Sequence, residues 1–147
     1  MAFRCVWLVA VVLAVTHSVF AHPVPFSYLD AEIREREIDV ALVVHVFDLA
    51  HELQITPSER LLASAMAEEQ ATAIRSLLGP RLEVIADGHK LNPEWSAPEI
   101  LPERQSLRLR LRYSVAEPPG TLAVTASLFP YDPNHQTFVN LYERDTL

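Results

Sequence analysis

Apolar and polar residues alternate along several segments of the chain, as in β-strands with one face turned to a core. In SYLDAEIR (27–34), Leu29, Ala31 and Ile33 alternate with Tyr28 and charged residues. EIDVALVVHVF (37–47) follows with one apolar face and a second face that is also largely apolar. A strand that is apolar on both faces is typical of the covered centre of a sheet. The two segments therefore predict a β-hairpin with a central second strand. The predicted inward-facing residues are Leu29, Ala31, Ile33, Ile38, Val40, Leu42, Val44 and Val46.

The middle of the chain changes to helical spacing. In TPSE, Thr56 can cap a first turn, Pro57 suits the first helical position, and Glu59 can reach back to the cap amide. Apolar residues then recur every three or four positions until a Gly-Pro pair at 79–80, which is a helix stop signal. We therefore expect a helical insertion over about residues 56–79, as one helix or as two.

Alternation returns in the last part of the chain. RLEVIADGHKL (81–91) predicts a hairpin around Asp87-Gly88, and SLRLRLRYSV (106–115) is the clearest strand of the chain. Further strands are predicted for TLAVTASLF (121–129) and TFVNLYE (137–143), and loops for EWSAPEILPE (94–103) and PYDPNHQ (130–136). Six or seven short strands with one helical insertion predict a mainly β fold, a small antiparallel immunoglobulin-like sandwich.

Segment 1–21 has the three parts of a secretory signal peptide. Arg4 supplies the positive n-region, CVWLVAVVLAV the apolar region, and Val19 and Ala21 the small residues before the cleavage point. The apolar run is short for a membrane span. We therefore expect cleavage after Ala21, and one extracytoplasmic β-rich domain over 22–147. That domain would lie in the periplasm or at the outer face of the cytoplasmic membrane.

Composition and motifs exclude several classes of function. Cys5, the one cysteine, lies in the leader, so the mature domain would have neither a disulfide nor a thiolate site. A net charge of -7 at pH 7 disfavours nucleic acid, because its phosphates require clustered Lys and Arg. The sequence has no G-x-S-x-G, H-E-x-x-H or phosphate-loop motif, and only three glycines. It therefore predicts a protein that is not an enzyme and does not bind nucleic acid.

His22 would be the first residue of the mature chain, where its amine and ring Nδ1 can chelate a metal together. A second histidine would complete a three-nitrogen set that suits Cu(II). Pro23 has no amide N–H, which excludes a site built on successive backbone nitrogens. The alternative is that His22 is an ordinary exposed chain end. The candidate second histidines are His45, His51, His89 and His135.

The segment FDLAHE places Asp48, His51 and Glu52 on one face of a helical turn. Carboxylate and imidazole ligands together suit Ni, Co or Zn. The simpler interpretation is a solvated helix start with acids near its N-terminus.

The loop in LFPYDPNHQTF is stiffened by two prolines and presents Asp132, Asn134 and His135. Functional residues favour loops on a rigid scaffold, so this loop is a candidate for metal binding or docking. The alternative is a structural turn in which Asp132 and Asn134 bond their own backbone. The candidate metal ligands of the chain are His22, His51, Asp132 and His135.

The arginine row of SLRLRLRYSV faces away from the leucines. It predicts a solvated face that pairs across strands with acids such as Asp30 and Glu32. A docking stripe is the alternative. The row consists of Arg108, Arg110 and Arg112.

Four ordered segments carry a family resemblance: AHPVPFSYLDAEI, VHVFDLAHELQI, LPERQSLRLRLRY and LFPYDPNHQTFVNLYE. Together they resemble the extracytoplasmic N-terminal region of longer HupE/UreJ-like membrane proteins, over most of the mature chain. The resemblance implies a β-rich module before a bundle of transmembrane helices, in a family associated with hydrogenase and urease gene sets. It also implies that the membrane part is a nickel or cobalt permease.

The sequence departs from that family at its C-terminus, where ERDTL is not followed by an apolar span. We therefore expect either a truncated reading frame or a stand-alone version of the module, and transport activity does not carry over. The leading hypothesis is a non-enzymatic accessory module that hands nickel or cobalt to a membrane permease, or gates or stabilises it. The alternatives are a stand-alone periplasmic copper-binding sandwich that uses His22, and a structural protein-interaction domain.

Overall fold

The computed structural model describes residues 26–143, which are 43% strand and 29% helix. The predicted mainly β fold with a helical insertion is confirmed. The predicted signal peptide and His22 lie outside the described residues.

Within residues 26–143, nine strands form two sheets. The larger sheet has six strands in the order β5-β7-β2-β1-β9, with β6 also paired to β7, and the smaller has the order β4-β3-β8. All pairs are antiparallel except β1 with β9, which is parallel and departs from the predicted antiparallel architecture. The strands are β1 (Phe26–Ile33), β2 (Glu37–His45), β3 (Leu82–Ala86), β4 (His89–Lys90), β5 (Glu94–Trp95), β6 (Glu99–Leu101), β7 (Ser106–Ser114), β8 (Leu122–Ala126) and β9 (Gln136–Glu143).

The first two strands form the predicted hairpin, and β2 is central as expected. Leu29 of β1 pairs with Leu42 of β2, and both are fully buried. β7 covers the other edge of β2. Val43, on the opposite face of β2, is also buried, which agrees with a strand that is apolar on both sides.

The helical insertion begins earlier than predicted. The first helix, α1 (Val46–Leu53), starts directly at the end of β2, and Nδ1 of His45 accepts the Phe47 backbone N–H at 3.1 Å. The prediction was wrong here because Val46 and Phe47 continue the apolar run of the strand. Histidine is also not among the usual N-cap residues.

The predicted start signal TPSE does not begin an α-helix. A 3-10 turn over Ser58–Leu62 follows Pro57, without a side-chain cap. Ala63 is extended, and it separates this turn from the second helix, α2 (Ser64–Leu78). The predicted end at 79–80 is confirmed, although Gly79 leads into a second 3-10 turn instead of a left-handed cap.

The hairpin around Asp87-Gly88 is confirmed. Asp87 and Gly88 have φ values of 48° and 79°, and two such residues in succession are typical of a type I′ turn. The Asp87 carboxylate accepts the Thr121 N–H at 2.8 Å and the Gly120 N–H at 3.2 Å, which lowers the pKa of Asp87. This turn thereby fastens the start of β8 to the β3–β4 hairpin.

The segment predicted as a proline-rich loop contains two short strands, β5 and β6, which both pair with β7. Pro98 lies between them and keeps each one short, as is usual for proline at a sheet edge. The loop prediction was wrong because pairing with β7 compensates for the weak strand propensity of the segment.

The arginine row of β7 pairs with acids of neighbouring strands, as predicted, but with different acids. β7 lies between β2 and the short edge strands, whereas Asp30 and Glu32 belong to β1, one strand farther away. The ion pairs are Arg108–Glu99 at 2.8 Å, Arg110–Glu99 at 3.7 Å, Arg112–Glu37 at 3.3 Å and Arg112–Asp39 at 3.5 Å.

One hydrophobic core joins both sheets and both helices. Leu29, Leu42 and Leu109 come from the large sheet, Val84 from the small one, and Ile74 from α2. Because residues 26–143 contain no cysteine, burial of this apolar surface must supply most of the stability of the fold.

Candidate functional site

Two segments that sequence analysis treats separately, FDLAHE on α1 and the loop before β9, lie against each other. The hydroxyl of Tyr131 donates a hydrogen bond of 2.6 Å to Oδ1 of Asp48. The imidazole of His51 stacks on the Tyr131 ring, with 3.8 Å between the ring centroids. Asp48 lies in the first turn of α1, where a negative charge is favourable.

The loop also places a histidine in the interior. The His135 side chain is 4% exposed, its Nε2 lies 3.0 Å from Oγ of Ser27, and its Nδ1 lies 3.9 Å from Oδ2 of Asp48. Nδ1 has no hydrogen-bond partner among the described residues. Phe129 packs edge-on against the imidazole. We call these residues the polar cluster: Ser27, Asp48, His51, Tyr131 and His135.

Burial shifts the pKa of two members of the polar cluster, His135 and Tyr131. It lowers the pKa of His135, and the nearby Asp48 and Asp132 carboxylates offset only part of that effect. Burial, together with the hydrogen bond to Asp48, raises the pKa of Tyr131. At neutral pH the His135 imidazole is therefore neutral and the Tyr131 phenol is protonated, and both lie beside the buried carboxyl group of Asp48.

Ser27, His135 and Asp48 lie in the order of a hydrolase triad, with the histidine between a hydroxyl and a carboxylate. Two observations argue against catalysis by this set. Ser27 is 0% exposed, so a substrate carbonyl cannot reach its Oγ. The 3.9 Å between Nδ1 and Oδ2 also exceeds the hydrogen bond that orients the histidine in such triads. The geometry favours a structural role that ties β1, α1 and the loop together.

Glu52, the third residue of the FDLAHE group, points to a different partner. Its carboxylate accepts two hydrogen bonds from Arg81, at 2.8 and 3.2 Å, and Arg81 also donates to the Leu128 carbonyl at 2.8 Å. Glu52 and Arg81 are each partly buried. The predicted set of Asp48, His51 and Glu52 is therefore divided between two separate contacts.

The predicted metal ligands have different surroundings. His51 stacks on an aromatic ring, His135 is buried, and Oδ1 of Asp132 accepts the Asn134 backbone N–H at 2.9 Å. The last contact agrees with the structural-turn interpretation of the loop. Within residues 26–143, no group of three or more His, Cys, Asp or Glu is arranged to hold a metal ion. The metal site stays a prediction, because His22 lies outside these residues.

A charged groove crosses the outer face of the large sheet. It encloses about 490 Å³ and is lined by side chains of β1, β2 and β7. Arg34 lies among three acids, and its hydrogen bonds to Glu32 and Glu37 and its proximity to Asp39 raise its pKa. Because opposite charges meet at short distances here, the groove has no strong preference for an anion or a cation.

A second surface on the outer face is aromatic. Phe138 of β9 stacks on Tyr28 of β1, with centroids 5.6 Å apart, and meets Phe26 edge-on at 5.2 Å. The guanidinium of Arg104 lies 5.6 Å from the centre of the Tyr28 ring. Phe138 is 44% exposed although it lies within strand β9 and pairs with β1. We call Phe26, Tyr28 and Phe138 the aromatic patch.

The aromatic patch and two members of the polar cluster, Ser27 and Tyr131, were not predicted from the sequence. Ser27 takes an inward position in the alternation of β1, together with Leu29 and Ala31, and a buried hydroxyl requires a hydrogen-bond partner. That signal was available in the sequence. Nothing local indicated that the partner would be His135, because 108 residues separate the two.

Comparison of the chain with protein-family models, curated proteins and solved structures found no match. Among the described residues, neither helix combines the length and the apolar character that a membrane crossing requires.

Proposed function

We propose that this chain is a non-enzymatic extracytoplasmic module that docks on a membrane protein through the aromatic patch. The signal-peptide pattern and the resemblance to HupE/UreJ-like proteins support the location and the class of partner, a nickel or cobalt permease. The exposed aromatic surface of β1 and β9 supports docking.

The distribution of exposed apolar side chains carries this proposal. Six large apolar residues are exposed within the described part of the chain, and five of them lie on β1 or β9. The sixth, Phe47, lies on α1. Elsewhere in the described residues the large apolar side chains are buried or partly buried. Three of the five, Tyr28, Phe138 and Tyr142, lie on the outer face with the aromatic patch, and this cluster is the feature that a partner would explain. The five are Tyr28, Phe138, Val139, Leu141 and Tyr142.

The chemistry of the patch suits a protein partner. Tyrosine and arginine are enriched where interfaces gain most of their binding energy, since each combines apolar contact area with hydrogen bonding. Tyr28 and Arg104 already lie in contact, so little side-chain freedom remains to be lost on docking. The charged groove borders the same face and would lie at the rim of such an interface.

Site-directed photocrosslinking tests the docking proposal. The full chain, with its leader, is expressed with a benzophenone amino acid in place of Tyr28, and in a matched control in place of Phe47. These residues are 37% and 44% exposed. We expect position 28 to crosslink to an integral membrane protein, identified by mass spectrometry, and position 47 not to. Equal yields at both positions, or crosslinks to soluble proteins only, would overturn the proposal.

A second candidate function, copper binding, is supported by the histidines near the start of β1. Phe26 lies four residues after His22, a separation that spans at most about 14 Å. His135 contacts Ser27, and His45 lines a cavity together with Phe26. Of the two, His45 is the candidate to complete the three-nitrogen set, because the His135 side chain is only 4% exposed and its Nε2 already lies against Ser27.

Copper titration separates this candidate from docking. Cu(II) and Ni(II) are titrated into protein that begins at His22 and into protein with one residue added before it. If the amine chelates, only the native terminus binds Cu(II) tightly, because the addition moves the amine away from the ring. Equal affinities for the two forms would exclude the chelate without affecting the docking proposal.

A further inference from the structure

Among the described residues, β9 is the longest open edge of the large sheet. One edge pairs with β1 over eight residues, and no other strand within residues 26–143 pairs with the opposite edge. The other side of this sheet ends in the short strands β5 and β6. An open edge strand exposes a row of backbone N–H and C=O groups that can pair with another strand.

The sequence of β9, QTFVNLYE, contains none of the residues that usually protect such an edge. It has no lysine and no proline, and its one charged residue, Glu143, is the last of the strand. Val139 and Leu141 face the core side of the sheet and are nevertheless exposed. Both faces and the edge of β9 therefore offer surface to a partner strand.

β9 is also complementary to itself. A two-fold axis perpendicular to a sheet relates two antiparallel edge strands, and opposed residues then face the same side. With the axis at Asn140, Phe138 opposes Tyr142 of a second copy, and Val139 opposes Leu141. Aromatic and aliphatic residues then meet their own kind on each face, which stabilises strand pairs. Thr137 opposes Glu143, so the acidic residues do not meet.

Neighbouring registers lose this match. With the axis at Val139, Phe138 opposes Asn140 and Thr137 opposes Leu141. With the axis at Leu141, Val139 opposes Glu143. Each shift pairs apolar side chains with polar ones, so the register centred on Asn140 is the one that the strand favours.

We infer that β9 pairs antiparallel with β9 of a second copy of this chain, about a two-fold axis at Asn140. The pairing joins two large sheets into one continuous sheet and buries Val139 and Leu141. Since the axis is perpendicular to the sheet, the aromatic patches of both copies lie on the same face. A dimer would therefore present a doubled patch, but its formation does not depend on the proposed docking function.

Disulfide crosslinking tests the register. The full chain carries Cys5→Ser, so that each introduced cysteine is the only one. Opposed residues of an antiparallel pair have Cα atoms about 4.5–5.5 Å apart, within the range of a disulfide. Residues on the diagonal lie about 7–8 Å apart, beyond that range for most pairs.

The register predicts a specific pattern after mild oxidation. Asn140→Cys should form a disulfide-linked dimer by itself. Val139→Cys and Leu141→Cys should each stay monomeric on a non-reducing gel, and a mixture of the two should crosslink. Self-crosslinking of Val139→Cys, or crosslinks from position 140 only to other proteins, would overturn the inference.

Mass measurement by light scattering tests the dimer without a covalent bond. Leu141→Lys places a charge on the pairing edge, and Phe47→Lys is the control at an exposed apolar site on α1. We expect twice the monomer mass for the native chain and for the control, and at least tenfold weaker association for Leu141→Lys. Circular dichroism confirms that each variant is folded. A native chain that is monomeric at every concentration would overturn the inference, whatever the photocrosslinking result from position 28.

Discussion

The contact between Tyr131 and Asp48 allows a quantitative prediction for Tyr131→Phe. The substitution removes one hydroxyl and keeps the ring that stacks on His51 and packs against Phe129. The carboxyl group of Asp48, whose side chain is 6% exposed, would lose its 2.6 Å hydrogen bond and could not regain it from bulk water. A hydrogen bond to a charged group contributes about 1.5–3 kcal/mol, so we expect the free energy of unfolding to fall by about 2 kcal/mol.

Urea denaturation of the protein at pH 7 measures this change. With a slope of about 1–3 kcal/mol per molar urea, the midpoint should fall by roughly 1 M at an unchanged slope. Tyr28→Phe, which removes the hydroxyl of an exposed tyrosine, should change stability by less than about 0.5 kcal/mol. Tyr131→Phe should also cost less in an Asp48→Asn background, because the charged acceptor is already absent. Equal effects of Tyr131→Phe and Tyr28→Phe would refute the reasoning.

Three further predictions follow from the same structure. Burial lowers the pKa of His45 and His135 in the folded state, so on acidification the unfolded chain takes up protons at these histidines before the folded chain does. The two histidines should therefore not affect the free energy of unfolding above about pH 6.5. Below that pH the free energy of unfolding should fall, by up to about 1.4 kcal/mol per pH unit for each histidine. Urea unfolding at pH 7, 6 and 5 checks this, and constant stability would contradict it. Gly88→Ala should reduce stability by about 1–2 kcal/mol, because φ at this position is 79°, a conformation that strains any residue with a Cβ. No atom lies within 4 Å of the added Cβ, so a steric clash would not contribute. A neutral effect in thermal denaturation would refute backbone strain at this position. Glu52→Gln should lower the unfolding free energy by about 1 kcal/mol, because an amide replaces the carboxylate that accepts two hydrogen bonds from Arg81; an unchanged midpoint of urea denaturation would contradict this.

The strands and their inward faces were predictable because alternation is local. Leu29 and Ala31 of β1 and Val40 and Leu42 of β2 are buried as predicted. The leucines of β7 are buried while its arginines face outward, also as predicted. A period of two assigns each side chain to one face before any partner strand is known.

Local signals failed where pairing or packing overruled them. β5 and β6 exist because β7 offers an unpaired edge, although their own sequence is rich in proline. α1 begins inside an apolar run, since the chain turns from the sheet at His45. The parallel pairing of β1 with β9 joins the two ends of the described chain and has no signature in either strand alone.

The sequence by itself determined the long strands, which of their faces are apolar, where the tight hairpin turns, and which side chains carry metal-ligand or aromatic chemistry. The tertiary structure decided which of those side chains meet. Asp48 and Tyr131 are 83 residues apart, and Ser27 and His135 are 108 apart. Parallel pairing of β9 with β1 brings His135 against Ser27 and Phe138 against Tyr28. A period along the chain reports only which way a side chain points, whereas contacts between distant segments follow from the register in which whole strands pair.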